Sequence, residues 1–546
     1  MRPFFIFSKT ILIPAILFVF LSGCRESDPE ILSINPRIGK MGDVLTIRGS
    51  GFGIEKNESY ITIAGTPPTR SSYLSWTDDE ISVILPEFGE AGLVYVYRGR
   101  SKSNPALFAN QSTLPEPVRG PDIGSNPNIN SMEPASGAIG SLIIIQGNNF
   151  GSSRDGSAVF FSWNAETDSQ ASREIPPPEF VEAFEVEYGY ELWSEREIRV
   201  RVPDGAISGN LEVRTPKGNS RPVYFEIAGK PGTKVFKDKR SYILSYMVDL
   251  KTERATVPNA LYIWMPQPAV SSSQRNVRLL SRSAEPFVEN YRGTSLFHFI
   301  DLLPGTNREI SLSYVADVYA VETNLRSQTP VKLNSPSPVG NLYTLADTLV
   351  PSDNSAIKAK AQEITGRERL PYAKAQKIYD WLVSSGGIQA APLTGGALDA
   401  LESGKADSYN SAMLFCALAR ASGIPAIPVA GVLIDRQRST SRHYWAEFWL
   451  DGFGWIPVDP ALGAGAAPPD FNLREAHGKY YFGNMDNQRI IFSRGERPLS
   501  QMAPRGRTVL HKRDYSLQNL WEEAVGGLGS YSSLWSDVTI SGMYVQ

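Results

Sequence analysis

Pro36, Gly39, Gly42, Gly49, Phe52 and Gly53 recur as Pro134, Gly137, Gly140, Gly147, Phe150 and Gly151, each displaced by 98 positions. Farther on, Trp76, Ile81, Pro86, Pro105 and Phe108 recur as Trp193, Ile198, Pro203, Pro222 and Phe225, displaced by 117. Constant offsets at so many positions mean a duplicated unit of about 80–100 residues. The second copy carries 19 additional residues in its middle, around Pro176–Pro178. Leu45 and Ile47 alternate with Thr46 and Arg48, and Ile81, Val83 and Leu85 alternate in the same way. That is the period of half-buried strands, so each copy is a small all-β domain. The repeated glycines are assigned to turn geometry, and Trp76 and Trp193 to the cores.

The pattern Ile-x-Pro-x-x-Gly-x-x-Gly-x-x-Leu-x-Ile-x-Gly-x-x-Phe-Gly, which begins at Ile34, resembles the IPT/TIG family. The resemblance implies immunoglobulin-like β-sandwiches over 31–111 and 127–229, joined by a linker at 112–126. Strand signals continue through 230–330, where Tyr242, Leu244, Tyr246, Val248 and Leu250 alternate. This segment is read as a third β-sandwich-like domain.

From Pro351 the pattern changes to helices at 355–364, 371–383, 397–402 and 408–421, followed by strands at 426–434, 442–450 and 454–458. Three blocks stand in order here: Ala406-Asp407-Ser408, then His443-Tyr-Trp445-Ala-Glu447, then Trp455-Ile-Pro-Val-Asp459-Pro460. They resemble the transglutaminase-like superfamily, with its papain-type Cys-His-Asp site, and imply an α+β domain over 331–498. The resemblance places the catalytic residues at Ser408, His443 and Asp459. It departs at the first, where the family has Cys.

That departure matters chemically. At a helix N-terminus beside an imidazole, a thiol can ionise near neutral pH, with a pKa of about 3.5–7.5. A hydroxyl stays neutral until a base removes its proton during attack. Ser408 therefore has two readings, a nucleophile served by His443 and Asp459 or a helix N-cap. Cys416 lies on the stripe Ala412, Phe415, Cys416, Ala419 and is read as a core residue. Trp445 and Glu447 are read as structural support. His298, His477 and His511 lack metal-ligand spacing, and neither a metal nor a cofactor is expected.

Arg2 and Lys9 flank the apolar run Ile11–Leu21, which ends in Ser22-Gly23-Cys24. Residues 1–23 read as a signal peptide. Leu-Ser-Gly-Cys resembles the bacterial lipobox, which implies lipidation of Cys24, a tether over 24–30, and a membrane partner through the lipid. With Cys24 lipidated, Cys416 is the only other cysteine, so no intramolecular disulfide is expected. Arg25 follows Cys24 where an Asp would signal retention at the inner membrane, which points to the outer membrane.

Of the 546 residues, 42% are hydrophobic and 20% charged, with 54 basic against 57 acidic side chains. These values fit several globular domains and no dense basic run suggests nucleic acid. The tail 499–546 is taken as an extension without a motif. The expected function is an envelope lipoprotein whose transglutaminase-like domain is catalytically silent and binds peptide, protein or cell-wall segments. The alternatives are an amide hydrolase or acyl transferase using Ser408, His443 and Asp459, and a structural spacer.

Overall fold

The computed structural model describes residues 28–53, 59–69, 72–86, 92–110, 126–154, 156–166, 179–229, 232–325, 338–497, 499–503, 506–511, 514–518 and 520–545. The signal peptide, Cys24, most of the linker and Pro176–Pro178 lie outside the described residues. The chain is mostly β, with several sheets and a helix-bearing domain in its C-terminal half.

Each repeat forms two sheets around one apolar cluster. In the first copy, Glu30–Asn35, Val44–Ser50, Glu80–Ile84 and Tyr73–Trp76 make one sheet. Ile38–Gly39, Ala106–Asn110, Gly92–Arg98 and Ser59–Ile63 make the other. Ile47, Ile81, Val83, Ile61, Val94 and Phe108 meet between them, fully buried. The second copy repeats this in detail. The first strand breaks register between Ile31 and Ser33, and between Ile129 and Ser131. The Trp76 indole donates to the Phe52 carbonyl at 3.3 Å, and Trp193 to that of Phe150 at 3.0 Å.

The glycines do not all serve turns. Gly42 and Gly140 have φ of 89° and 85° and do. Gly49 and Gly147 are close-approach positions: a Cβ there would lie 1.9 Å from the Glu30 carbonyl oxygen and 2.0 Å from that of Asn128.

The third domain is organised by one 34-residue strand, Thr233–Pro266. On one edge it pairs with Asn307–Asn324 and Thr294–Ile300. On the other it pairs with Leu520–Trp535 and Thr539–Val545. The residues read as a C-terminal extension therefore complete the third domain's sheet, and the transglutaminase-like segment lies between the two parts of that domain in sequence.

In the core, helices Ser355–Thr365, Pro371–Ser384, Ala397–Ser403 and Ser408–Ala421 precede a sheet ordered Gly454–Val458, Thr440–Leu450, Ala426–Ile434, Arg489–Arg494. One face of this sheet, with Tyr444, Ala446, Phe448 and Ile456, packs on Met413 and Phe415 of the last helix. Trp445, Trp449, Trp455 and Ile427 share a cluster with Ile143, Phe161 and Trp163 of the second repeat. Val432, Ile490 and Phe492 join the core of the third domain. Covered on both faces, the strand Ala426–Ile434 is buried at every position.

Candidate functional site

Helix Ser408–Ala421 begins because Asp407 caps it. One carboxylate oxygen accepts from the Asn410 N–H at 2.8 Å, and the other from the Leu393 N–H at 2.8 Å. This corrects the capping reading of Ser408, which stands half-buried at the first helical position with its cap supplied by its neighbour. The far end is fixed by buried Arg420, which donates to the carbonyls of Ala426 and Leu345 and pairs with Asp347 at 2.6 Å. Tyr409 sets its ring perpendicular to Tyr444, centroids 4.9 Å apart. The neighbours of Ser408 and His443 therefore touch.

His443 and Asp459 come together as the sequence suggested. Nε2 of His443 lies 2.9 Å from Oδ2 of Asp459, with both side chains out of solvent. The other carboxylate oxygen accepts from the Leu462 N–H at 3.0 Å and caps the short helix Pro460–Gly463. Burial opposes ionisation of Asp459, but His443, the Arg489 guanidinium and the Leu462 N–H outweigh it and hold the carboxyl below its ordinary range. An ionised carboxylate accepts only, so Nε2 carries the proton and the lone pair of neutral imidazole lies on Nδ1. Among the described residues, no hydrogen bond joins the Ser408 hydroxyl to His443. A serine nucleophile engages its base at about 2.6–3.2 Å, often more loosely before substrate is bound.

Sequence reasoning missed Arg489. It donates to Asp459 at 3.1 Å and to Asp486 at 2.9 Å, fully buried, with its charge 4.8 Å from the Trp445 ring centre. Tyr481 donates to Asp486 at 2.9 Å. The available signal was a pair of opposite charges three residues apart at the edge of the apolar run Ile490–Phe492. Trp445 lies beside His443, centroids 6.2 Å apart, whereas Glu447 takes Arg494 at 2.7 Å rather than a member of the His443 cluster. Cys416 is wholly buried, and burial pushes its thiol far above the ordinary range. His298 stacks on Tyr262 at 4.3 Å, His477 Nδ1 faces the Gly463 carbonyl at 2.8 Å, and His511 faces Glu522 at 2.9 Å. Among the described residues there is no group of three metal-ligating side chains.

Comparison with known proteins bears on this arrangement. The family described as the transglutaminase-like superfamily matches residues 358–460, and the IPT/TIG domain matches 29–109 and 127–227. An uncharacterized protein of Haemophilus influenzae is 30% identical over 176 residues, which cover 25% of this chain and 46% of that protein. A cyclomaltodextrin glucanotransferase of Paenibacillus macerans is 34% identical over 89 residues, 16% of this chain and 12% of the enzyme. The chain thus spans less than half the length of these curated relatives. Among solved structures, one described as a candidate cysteine protease from Cytophaga hutchinsonii shares 16% identity with a TM-score of 0.35, covering 57% of this chain and 92% of that one. The chain therefore carries two IPT/TIG domains followed by a transglutaminase-like domain.

Proposed function

We propose that this chain is an envelope lipoprotein whose transglutaminase-like domain holds a peptide, protein or cell-wall segment without turning it over. One observation carries the reading. The nucleophile position holds Ser408, whose hydroxyl makes no hydrogen bond to His443 among the described residues, and the nearest thiol in the sequence, Cys416, is sealed in the core. Lipid on Cys24 would anchor the chain, with the outer membrane as its address.

The second reading is an amide hydrolase or acyl transferase acting through Ser408, His443 and Asp459. The 2.9 Å His443–Asp459 contact favours it, because a buried pair held by Arg489 is the orienting half of such a site. Replacement at position 408 separates the two. Ser408→Cys is expected to give a thiol that alkylates below pH 7, since the helix terminus and imidazole lower its pKa, while the wild type releases no product from peptide amides. Wild-type turnover that disappears in both Ser408→Ala and His443→Ala would overturn the silent reading. The anchor is tested separately: Cys24→Ala should move the protein from the membrane to the soluble fraction, and continued membrane retention would refute lipidation there.

A further inference from the structure

A cavity of about 590 Å³ lies where the second repeat, the third domain and the core sheet meet. Its size falls within the roughly 300–1,000 Å³ of small-molecule sites, which favour domain junctions. Five arginines, Arg154, Arg282, Arg292, Arg494 and Arg497, stand in its wall against two glutamates, Glu182 and Glu289. Arg282 is held by Glu285 and by Glu289, the latter at 3.0 Å, and Arg494 by Glu447 at 2.7 Å, so two guanidiniums are paired and fixed in place before any ligand arrives. Arg494 is buried, and among the described residues its Nη1 has no hydrogen-bond partner. A buried donor left unsatisfied is destabilising, and a ligand acceptor would relieve it. Glu187 lies close enough for its charge to act on Arg494, but its own ionisation is opposed. Burial and the Asp204 charge push that carboxyl up to about 8, which leaves it mostly protonated at neutral pH.

The rest of the wall narrows the ligand. Leu279, Leu312 and Phe492 supply an apolar side. Two of the lining aromatic rings are already engaged, Tyr314 stacking on Tyr246 at 6.3 Å and Phe492 packing on Tyr515 at 4.7 Å. That lining suits an aliphatic side chain better than a sugar ring. One wall, including Glu182, Phe184 and Val186, comes from the segment between strands Ala158–Trp163 and Tyr190–Trp193. The additional residues of the second repeat fall in that interval. The first repeat builds its sandwich without them; in the second, Glu179–Glu182 adds an edge strand to the sheet and Phe184 and Val186 join the core, so the insertion extends the sandwich as well as forming this wall.

We propose that this cavity binds a short peptide through a free carboxylate, with guanidinium forks taking the carboxylate and the apolar side taking a side chain. The site is separate from the His443 cluster. Arg494 ends the strand that Arg489 begins, about 17 Å away at the usual rise per residue, so the proposal stands whether or not Ser408 is catalytic.

The test uses the full chain and fluorescein-labelled tetrapeptide pools lacking Asp and Glu, read by fluorescence anisotropy. The pool with free C-termini is expected to bind at least tenfold more tightly than the same pool amidated. Arg282→Gln with Arg497→Gln should weaken the free-acid pool at least tenfold, with an unchanged melting temperature. Arg48→Glu, on the first repeat, should have no effect. If the double variant misfolds, Arg292→Asn, at an exposed left-handed position that Asn tolerates, should give the same loss. Equal binding of acid and amide pools, binding indifferent to the arginines, or no binding at all would overturn the proposal. Tighter binding of glucuronate oligosaccharides than of either pool would overturn the peptide assignment.

Discussion

A carboxylate can be buried only where cations and N–H donors replace the water it loses. Asp459 meets that condition through His443, Arg489 and the Leu462 N–H, and Asp486 through the same Arg489 with the Gln488 N–H and Tyr481, and both lie below their ordinary range despite burial. Glu187 does not. It accepts the Asp204 N–H at 3.0 Å, but burial and the Asp204 charge dominate and raise it to about 8. The consequence for stability has a definite sign. Between about pH 4.3, the ordinary glutamate value, and pH 8, the folded chain keeps a proton that the unfolded chain releases. Stability therefore falls as pH rises through that window and levels off above it. At about 1.4 kcal/mol per pKa unit, the loss amounts to a few kcal/mol. Asp459 and Asp486 act with opposite sign, and only below about pH 4, where the unfolded carboxyls protonate first. Urea unfolding at pH 5 and pH 8 should show wild type losing stability at the higher pH, while Glu187→Gln shows a shallower fall, the remainder including Glu496, which burial raises to about 7, and exceeds wild type at pH 8. Identical pH slopes in the two proteins would refute this account.

Elements were legible where pattern and turn chemistry agreed. The helix Ser408–Ala421 and the strands Ala426–Ile434 and Gly454–Val458 stand where apolar periodicity and the stop at Gly423–Pro425 put them. His443 and Asp459 were legible through the family resemblance, which puts one on a strand and the other just after the next strand. Arg489 was not, because its spacing from Asp486 signals a local pair and not that Asp459 lies across a loop. The strand Leu520–Trp535 was illegible for a different reason. Gly526, Gly527 and Gly529 lie in the tail that carried no motif, but a Cβ at Gly527 would lie 2.0 Å from the Thr256 carbonyl oxygen and one at Gly526 2.5 Å from that of Pro258. They are glycines because another backbone passes there, at the bulges where the pairing with Thr233–Pro266 shifts register. A single sequence does not reveal a partner more than two hundred residues away.

At the scale of the molecule, the two repeats share a fold but not a degree of independence. The first keeps its own apolar cluster and touches the third domain through a small one around Leu93 and Leu107. The second is fused to its neighbours. Trp163 packs on Phe236 at 5.2 Å and Tyr319 at 5.0 Å, both outside the repeat, with Arg275 over its ring at 4.0 Å. The Gly452 N–H donates to the Ile139 carbonyl at 3.2 Å, and Asp204 pairs with Lys234. Each large apolar side chain uncovered by separation forfeits about 1.5–3 kcal/mol, against a total stability of about 5–15 kcal/mol for a domain. Sequence duplication alone suggests that both copies fold autonomously; the packing separates them. Residues 28–110 expressed alone should unfold cooperatively. Residues 126–229 alone should show red-shifted tryptophan emission and a denaturant midpoint well below that of the full chain. In the full chain, Trp163→Ala should cost about 3–5 kcal/mol and lower the transition of the core sheet together with that of the repeat. An isolated second repeat that unfolds at the same midpoint as in the full chain would show that the shared cluster adds nothing to its stability, and that the repeat is a spacer after all.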